Sequence, residues 1–270
     1  PGRIALCHAL TKNGGVRSEF TITKLAANRF YVVSAGAGER FDSDYLHQML
    51  PDDRSIELRN VTTSRGTFVV AGPNARAVLA QLTDVPLDNA SFPWLTSQVI
   101  EAGLATDVYA LRVNFIGELG WELHIPVEYA NGLFEALFAA GREFGIGMVG
   151  MRAMESMRIE KSYRMWGSDL TPEYTPFEAG LDRFVRMDKG EFIGKAALAR
   201  QLAAGVPHRF VTLEVHGVTD ADPLGNEPLF ARGSLVGRAT AGCYGHVLGK
   251  SLALAYVKPE HAATGAAMEI

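Results

Sequence analysis

Phe115-Ile116-Gly117-Glu118-Leu119-Gly120-Trp121-Glu122 is the stretch whose reading decides the fold. Glycines punctuate it between two runs rich in β-branched and aromatic residues, which predicts strand, turn, strand. Tyr109–Phe115 is expected as the incoming strand and Trp121–Ile125 as its return. Alternation then places Trp121, Leu123 and Ile125 on one face, with Glu122, His124 and Pro126 on the other. Glu122 therefore lies opposite the apolar set. Either it meets water, or its face lines a cavity where a carboxylate accepts a pair of N–H donors from a flat heterocycle. An antiparallel return brings Phe115 near Glu122, an aromatic wall that suits such a ligand and is equally common in cores.

Working outward, Phe20–Leu25 and Arg29–Ala35 read as a hairpin turning at Asn28, preceded by a short N-terminal strand. Phe41–Leu50 is expected as a helix capped by Asp42 or Ser43. Thr67–Ala71 is a predicted strand, Ala75–Leu82 a helix, and Ser97–Ala102 a strand. Glu128–Phe144 carries a helical apolar stripe, and Met151–Tyr163 forms a second helix after the Gly145–Gly150 break. Trp166–Asp182, with Pro172 and Pro176, reads as an ordered loop, and Gly194–Ala203 as a helix. Past Gly205-Val206-Pro207 the pattern changes to strands, at Arg209–Val215, Leu235–Thr240 and Leu252–Val257. The expectation is an α+β body over residues 1–204 and a smaller β-rich domain over residues 205–270. The chain begins at Pro1 with a strand under way and ends in Ala267-Met268-Glu269-Ile270 as if another were cut short, so a fragment of a longer protein is expected.

Apolar residues make up 47% of the chain and charged residues 21%, a globular balance that argues against disorder. A net charge of −4 supplies no basic footprint for nucleic acid or an anionic membrane. No apolar run approaches the roughly 18–20 residues that span a bilayer. Cys7 and Cys243 are too far apart in sequence for a metal knuckle, and a reducing compartment is the default expectation.

Several motifs fail. Gly36-Ala37-Gly38 follows a strand and precedes a helix, but Phe41 stands where a dinucleotide fingerprint needs its third glycine. Gly190–Lys195 is one residue short of a phosphate loop, and Ala196 lacks the hydroxyl. The seven histidines include no HxH or HExxH pair, so spacing supports no metal site. The chemistry is therefore expected to reside in a bound cofactor. Glu19 follows the Gly14-Gly15 turn and enters an apolar strand; the residues alone leave it either a solvated strand-entry residue or a carboxylate projecting into a cavity. The charges of Met151–Tyr163, Arg158 among them, read mostly as surface pairs at i,i+4 spacing. Glu178 sits in the apolar-flanked loop Pro176-Phe177-Glu178-Ala179-Gly180-Leu181, which either shapes a site or is purely structural.

Taken together, the chain resembles the glycine-cleavage T-protein superfamily, in particular the carboxy-terminal folate domains of dimethylglycine and sarcosine dehydrogenases. The matching pieces are Gly14–Glu19, Arg112–Glu122, Ser156–Lys161, Trp166–Leu170 with Pro176–Leu181, Phe192–Lys195 and Gly237–Val257. The resemblance implies a folate-binding body, begun before Pro1, and a small C-terminal β-barrel domain left incomplete. It implies tetrahydrofolate as cofactor and a methylated amine, or the iminium derived from it, as one-carbon donor. It implies FAD only through a flavin domain upstream in the parent chain. The expected compartment is the cytoplasm of a bacterium or the mitochondrial matrix.

By the same resemblance Glu19 is the catalytic acidic residue beside the reacting folate nitrogen, and Glu122 anchors the pterin with Phe115 as its aromatic partner. Glu178, Trp166, Tyr163 and Arg183 join them as folate-binding positions. Four places depart from the pattern. Glu19 stands where Asp is commoner and reaches about 1.5 Å further; Phe115 replaces a usual Tyr and lacks its hydroxyl. Met154 and Arg183 occupy positions that hold Arg and Trp in stand-alone T-proteins, which favours the dehydrogenase branch. A stand-alone aminomethyltransferase and a non-catalytic folate-binding regulator are the competing readings. Glu191, where one regulator family carries a reactive Cys, counts against the latter.

Overall fold

The computed structural model describes residues 1–218 and 221–270. The architecture is α+β, and the chain divides into two compact units, residues 1–5 with 21–149 and residues 6–20 with 150–270. Strands β1 (Ile4–Leu10) and β2 (Val16–Ala26) contribute residues to both.

In the first unit β3 (Arg29–Val33) closes the expected hairpin on β2, with Thr21 opposite Val33 and Thr23 opposite Tyr31. Helix α1 spans Glu39–Gln48 and begins earlier than the sequence suggests. Gly38 occupies its N-cap without a side-chain bond, and Asp42, expected as a cap, lies within the first turn. Strand β4 (Arg65–Ala71) is followed by α2, which covers only Ala75–Leu79. Strands β5 (Ser97–Ala102), β6 (Ala105–Leu111) and β7 (Gly120–Pro126) complete an antiparallel sheet in the order β4-β7-β6-β5. Helix α3 (Ala130–Gly141) follows. Strand β6 starts and stops earlier than the Tyr109–Phe115 expectation, because Ala102 pairs with Ala105 across a tight turn and so fixes where the return begins.

One face of this sheet is covered by helices and the other only in part. Trp121, Leu123 and Ile125 pack with Val108 and Ala110 against Val78 and Leu79 of α2 and Leu133 and Leu137 of α3. Each buried Val, Leu or Ile among them contributes about 1.5–3 kcal/mol. On the other face Tyr109 and Leu111 pack with Ile4, Leu25 and Tyr31. The face that carries Glu122 is thus covered over β6, while Val69 of β4 and Val99 of β5 stay exposed on it.

In the second unit α4 spans Met151–Glu160, α5 Lys195–Ala204, and β8 Arg209–Val215. Strands β9 (Pro228–Ala231), β10 (Ser234–Gly245) and β11 (Lys250–Val257) join β8 in the order β8-β11-β10-β9. The sequence reading missed β9, a four-residue edge strand that opens on proline. The C-terminal residues form only a bridge, Glu269 and Phe230 exchanging backbone bonds of 2.8 Å each. Arg158 corrects another expectation. It is not a surface charge: its side chain is 1% exposed and meets the fully buried Asp169 at 2.5 Å. Helix α4 lies against β10 and β11, so its inward stripe is sealed. Asp169 also accepts the Met165 N–H at 2.8 Å and the Thr240 hydroxyl, which ties the 162–182 loop to the barrel strands. No helix among the described residues is long and apolar enough to cross a membrane.

Candidate functional site

In the first unit Glu122 stands on β7 between Val69 of β4 and Leu111 of β6. Its side chain is 21% exposed, and Oε2 lies 3.2 Å from Nε2 of His124, which is 2% exposed. The two are neighbours on one strand face because alternate residues share it. Deeper in the same face, Nδ1 of His124 lies 3.1 Å from the Tyr31 hydroxyl and 3.1 Å from the Thr67 hydroxyl. The turn delivering β7 is clipped by Asn114. Its Oδ1 accepts the N–H of Ile116 at 3.0 Å and of Glu118 at 3.3 Å, and its amide donates to the Glu118 carbonyl at 2.6 Å. Phe115 rides on that turn, beyond Leu111, the β6 residue that faces Glu122. Leu111 is thus the β6 residue paired with Glu122, and Phe115 follows it on the clipped turn.

In the second unit Glu19 follows the Gly14-Gly15 turn as expected. Gly14 has φ +87°, and a Cβ on Gly15 would stand 1.9 Å from the Pro172 carbonyl oxygen, so a side chain there is excluded by contact. The Val16 N–H donates to the Tyr174 carbonyl at 2.9 Å, pinning the strand start. Glu19 is 24% exposed, and its Oε2 lies 3.1 Å from Nε2 of His8, which is 5% exposed and packs edge-on against Phe184 at 5.8 Å. A carboxylate only accepts, so His8 and His124 each present a protonated Nε2 to their glutamate.

Of three other expected positions, Trp166 bonds the Glu19 strand, Arg183 stacks on the ring beside His8, and Tyr163 contacts Arg158. Trp166 donates its indole N–H to the Arg17 carbonyl at 2.9 Å, two residues before Glu19 on the same strand. Arg183 lies with its guanidinium 4.7 Å above the ring of Phe184, the residue that braces His8. Tyr163, at the end of α4, is partly exposed and bonded through its backbone to Arg158. Glu178 is differently placed. It is 4% exposed, and its carboxylate takes the Thr175 N–H and the Gln201 amide at 3.0 Å each and His208 at 2.8 Å. Those bonds join its loop to α5 and to the segment entering β8.

His8, Phe184 and Tyr31 are contributions that pattern reading did not supply, because nothing local marks them. His124 was readable as a face-mate of Glu122, and Asn114 as a turn residue with Gly117 three positions on. Lys195, at the failed phosphate loop, donates to the Lys189 carbonyl at 2.9 Å and so closes its own turn. Burial pushes the Cys7 thiol up and the Cys243 thiol to about 11, leaving both protonated and weakly nucleophilic at neutral pH. Among the described residues no cluster of His, Cys, Asp and Glu could hold a metal ion.

The GCVT N-terminal domain family matches residues 1–189, and the glycine cleavage T-protein C-terminal barrel domain matches residues 208–270. Mitochondrial dimethylglycine dehydrogenase of Mus musculus is 36% identical over 267 residues, which cover 98% of this chain and 30% of that protein. The chain thus spans 30% of that relative's length. An aminomethyltransferase of a Thermoanaerobacter species is 30% identical over 261 residues, covering 96% of this chain and 69% of that one. The crystal structure of the glycine cleavage system aminomethyltransferase T from Bartonella henselae superposes with a TM-score of 0.84 at 25% identity, over 99% of this chain and 71% of that one.

Proposed function

Since the chain belongs to the glycine cleavage T-protein family, we propose that it binds tetrahydrofolate and passes a one-carbon unit from an amine to it. The observation carrying this reading is Glu122: a partly open carboxylate on a sheet face that is covered over β6 and open beside it at Val69, oriented through one oxygen by His124. Such a group fits a pterin edge, whose 2-amino and ring N–H groups are both donors. Phe115, Trp166, Tyr163 and Arg183 are proposed to line the folate site, and Glu178 to hold the loop that shapes it. The folate-binding portion is taken as residues 1–204 and the barrel as residues 205–270.

Tetrahydrofolate, when bound, would supply two N–H nucleophiles that take the methylene carbon as 5,10-methylenetetrahydrofolate, the C–N bond to the donor breaking and the amine leaving with the two protons. The protein's part is placement and charge. Glu19, steadied by His8, accepts the N–H of the reacting nitrogen and stabilises the cationic carbon donor as it approaches. The donor proposed is the iminium of a methylated amine, produced by a flavin domain as in a dimethylglycine or sarcosine dehydrogenase. FAD is assigned to that partner domain: Gly36–Gly38 forms one 3-10 turn entering α1, with Phe41 where the third glycine is required. A stand-alone aminomethyltransferase is the second reading, favoured by the 69% coverage of the Thermoanaerobacter relative.

Calorimetry with tetrahydrofolate tests the proposal. Glu122→Ala is expected to weaken binding about 10- to 100-fold, the worth of hydrogen bonds to a charged group. No heat of binding to the wild type, or equal affinity in the variant, refutes it. Glu19→Ala should bind within a few-fold of wild type yet slow methylene transfer about 100-fold; equal losses of both would mean its role is misassigned. Transfer from an aminomethylated lipoyl carrier, with none from an iminium donor, selects the second reading.

A further inference from the structure

The first unit holds a chain of hydrogen bonds behind Glu122, of which the proposed function uses only the last. It starts on β3 at Tyr31, crosses to His124 on β7, and ends at the Glu122 carboxylate. Thr67 on β4 offers a second hydroxyl to the same Nδ1. Tyr31 lies edge-on to both Tyr109 and His124, each pair 5.3 Å between ring centroids. Tyr109 is itself clamped. Arg29 donates to its hydroxyl at 2.9 Å, and the Arg65 guanidinium sits 3.7 Å over its ring. Arg65 also donates to the His124 carbonyl at 3.2 Å and to the Asp107 carbonyl at 2.8 Å.

For a neutral imidazole this geometry admits one assignment of protons. The carboxylate only accepts, so Nε2 of His124 carries hydrogen and Nδ1 of the neutral ring accepts. The acceptor faces two hydroxyls, either of which can donate. Burial raises the Tyr31 pKa above its ordinary value, with Tyr109 and Glu122 adding to the rise and Arg65 opposing it, so the phenol keeps its proton and serves as donor. Both ring nitrogens are thereby committed. A ring held in one tautomer and one orientation fixes the plane of the carboxylate it bonds.

We infer that Tyr31, Thr67 and His124 form a positioning relay that pre-orients Glu122 for the N–H edge of the folate heterocycle. The inference rests on the Glu122 reading above. None of the three relay residues is assigned a contact with ligand. Without the relay a glutamate side chain is free to leave its binding rotamer, and ordering it anew costs affinity.

The test combines binding with a direct view of the tautomer. In 15N-labelled wild-type protein, His124 is expected as the Nε2–H tautomer. His124→Leu is expected to weaken tetrahydrofolate binding about three- to tenfold. His124→Gln, whose amide donor reaches about as far as Nε2, should restore most of the loss. Tyr31→Phe combined with Thr67→Val keeps the ring but removes both donors. It should mix the tautomers and weaken binding by a similar factor. Should His124→Leu fail to fold, that double variant and the wild-type spectrum still decide. A wild-type spectrum showing Nδ1–H overturns the relay, as does unaltered affinity in His124→Leu or the double variant while Glu122→Ala has lost binding. Wild-type affinity in Glu122→Ala removes the anchoring role itself, and that outcome is distinguishable from failure of the relay alone.

Discussion

Two turns deliver the two glutamates, and they hold by different physics. The turn before Glu19 works through missing side chains: Gly14 takes a left-handed φ, and Gly15 lets the Pro172 carbonyl come where a Cβ would otherwise stand. The turn before Glu122 works through an added one, Asn114, whose amide makes three bonds to the turn's backbone. Past the turns the two sites converge. Each glutamate is about one-quarter exposed and meets the Nε2 of a nearly buried histidine, at 3.1 Å in one unit and 3.2 Å in the other. The fold has two ways of aiming a strand but one way of holding a carboxylate on it: an acceptor-only group that stays partly open is steadied from behind by an imidazole Nε2.

The contrast has a limiting case in Arg158–Asp169, where a carboxylate does meet a countercharge and is closed off from water entirely. Removing that partner should produce the largest effect. Asp169→Ala leaves a buried guanidinium with Glu155 as its remaining carboxylate and frees the loop against which Gly15 packs. A loss of about 3–5 kcal/mol is expected in chemical denaturation. A change under 1 kcal/mol would show that the loop is held otherwise. Next comes Gly15→Ala, which forces a methyl group into backbone and should cost about 1–3 kcal/mol. It should disturb methylene transfer more than folate affinity, because Glu19 lies downstream of the turn. Asn114→Ala should be the mildest, about 0.5–1.5 kcal/mol, since water can replace the lost bonds on a half-exposed turn. Its functional effect should fall on folate binding. If Gly15→Ala proves milder than Asn114→Ala, the ranking of close approach above side-chain clipping is wrong.

Much of this was legible in the residues. The β2–β3 hairpin, strands β5 and β8, the helix stripes and the opposition of Glu122 to Trp121, Leu123 and Ile125 follow from periodicity, which needs no partner to be read. Boundaries strayed where a tertiary event sets them. Strand β6 is placed by the tight turn at Ala102–Ala105, and α2 stops at Leu79 although its apolar pattern runs on to Leu82. Arg158 looked like a surface charge because helical spacing offered it local partners; only the packing of α4 on β10 and β11 shows that it faces inward.

By itself the sequence determined the α+β class, the turn chemistry at Gly14-Gly15 and at Gly117–Gly120, and which carboxylates merit attention, because these depend on residue type and short-range spacing. Tertiary structure decided what stands behind each carboxylate. His124 could be placed on the Glu122 face by alternation, but its bond to Tyr31 joins residues 93 positions apart. His8 reaches Glu19 across 11 positions with no motif to announce it. The physical reason is that hydrogen bonds between strands depend on register and on which faces become covered, and both are set only when the sheets close.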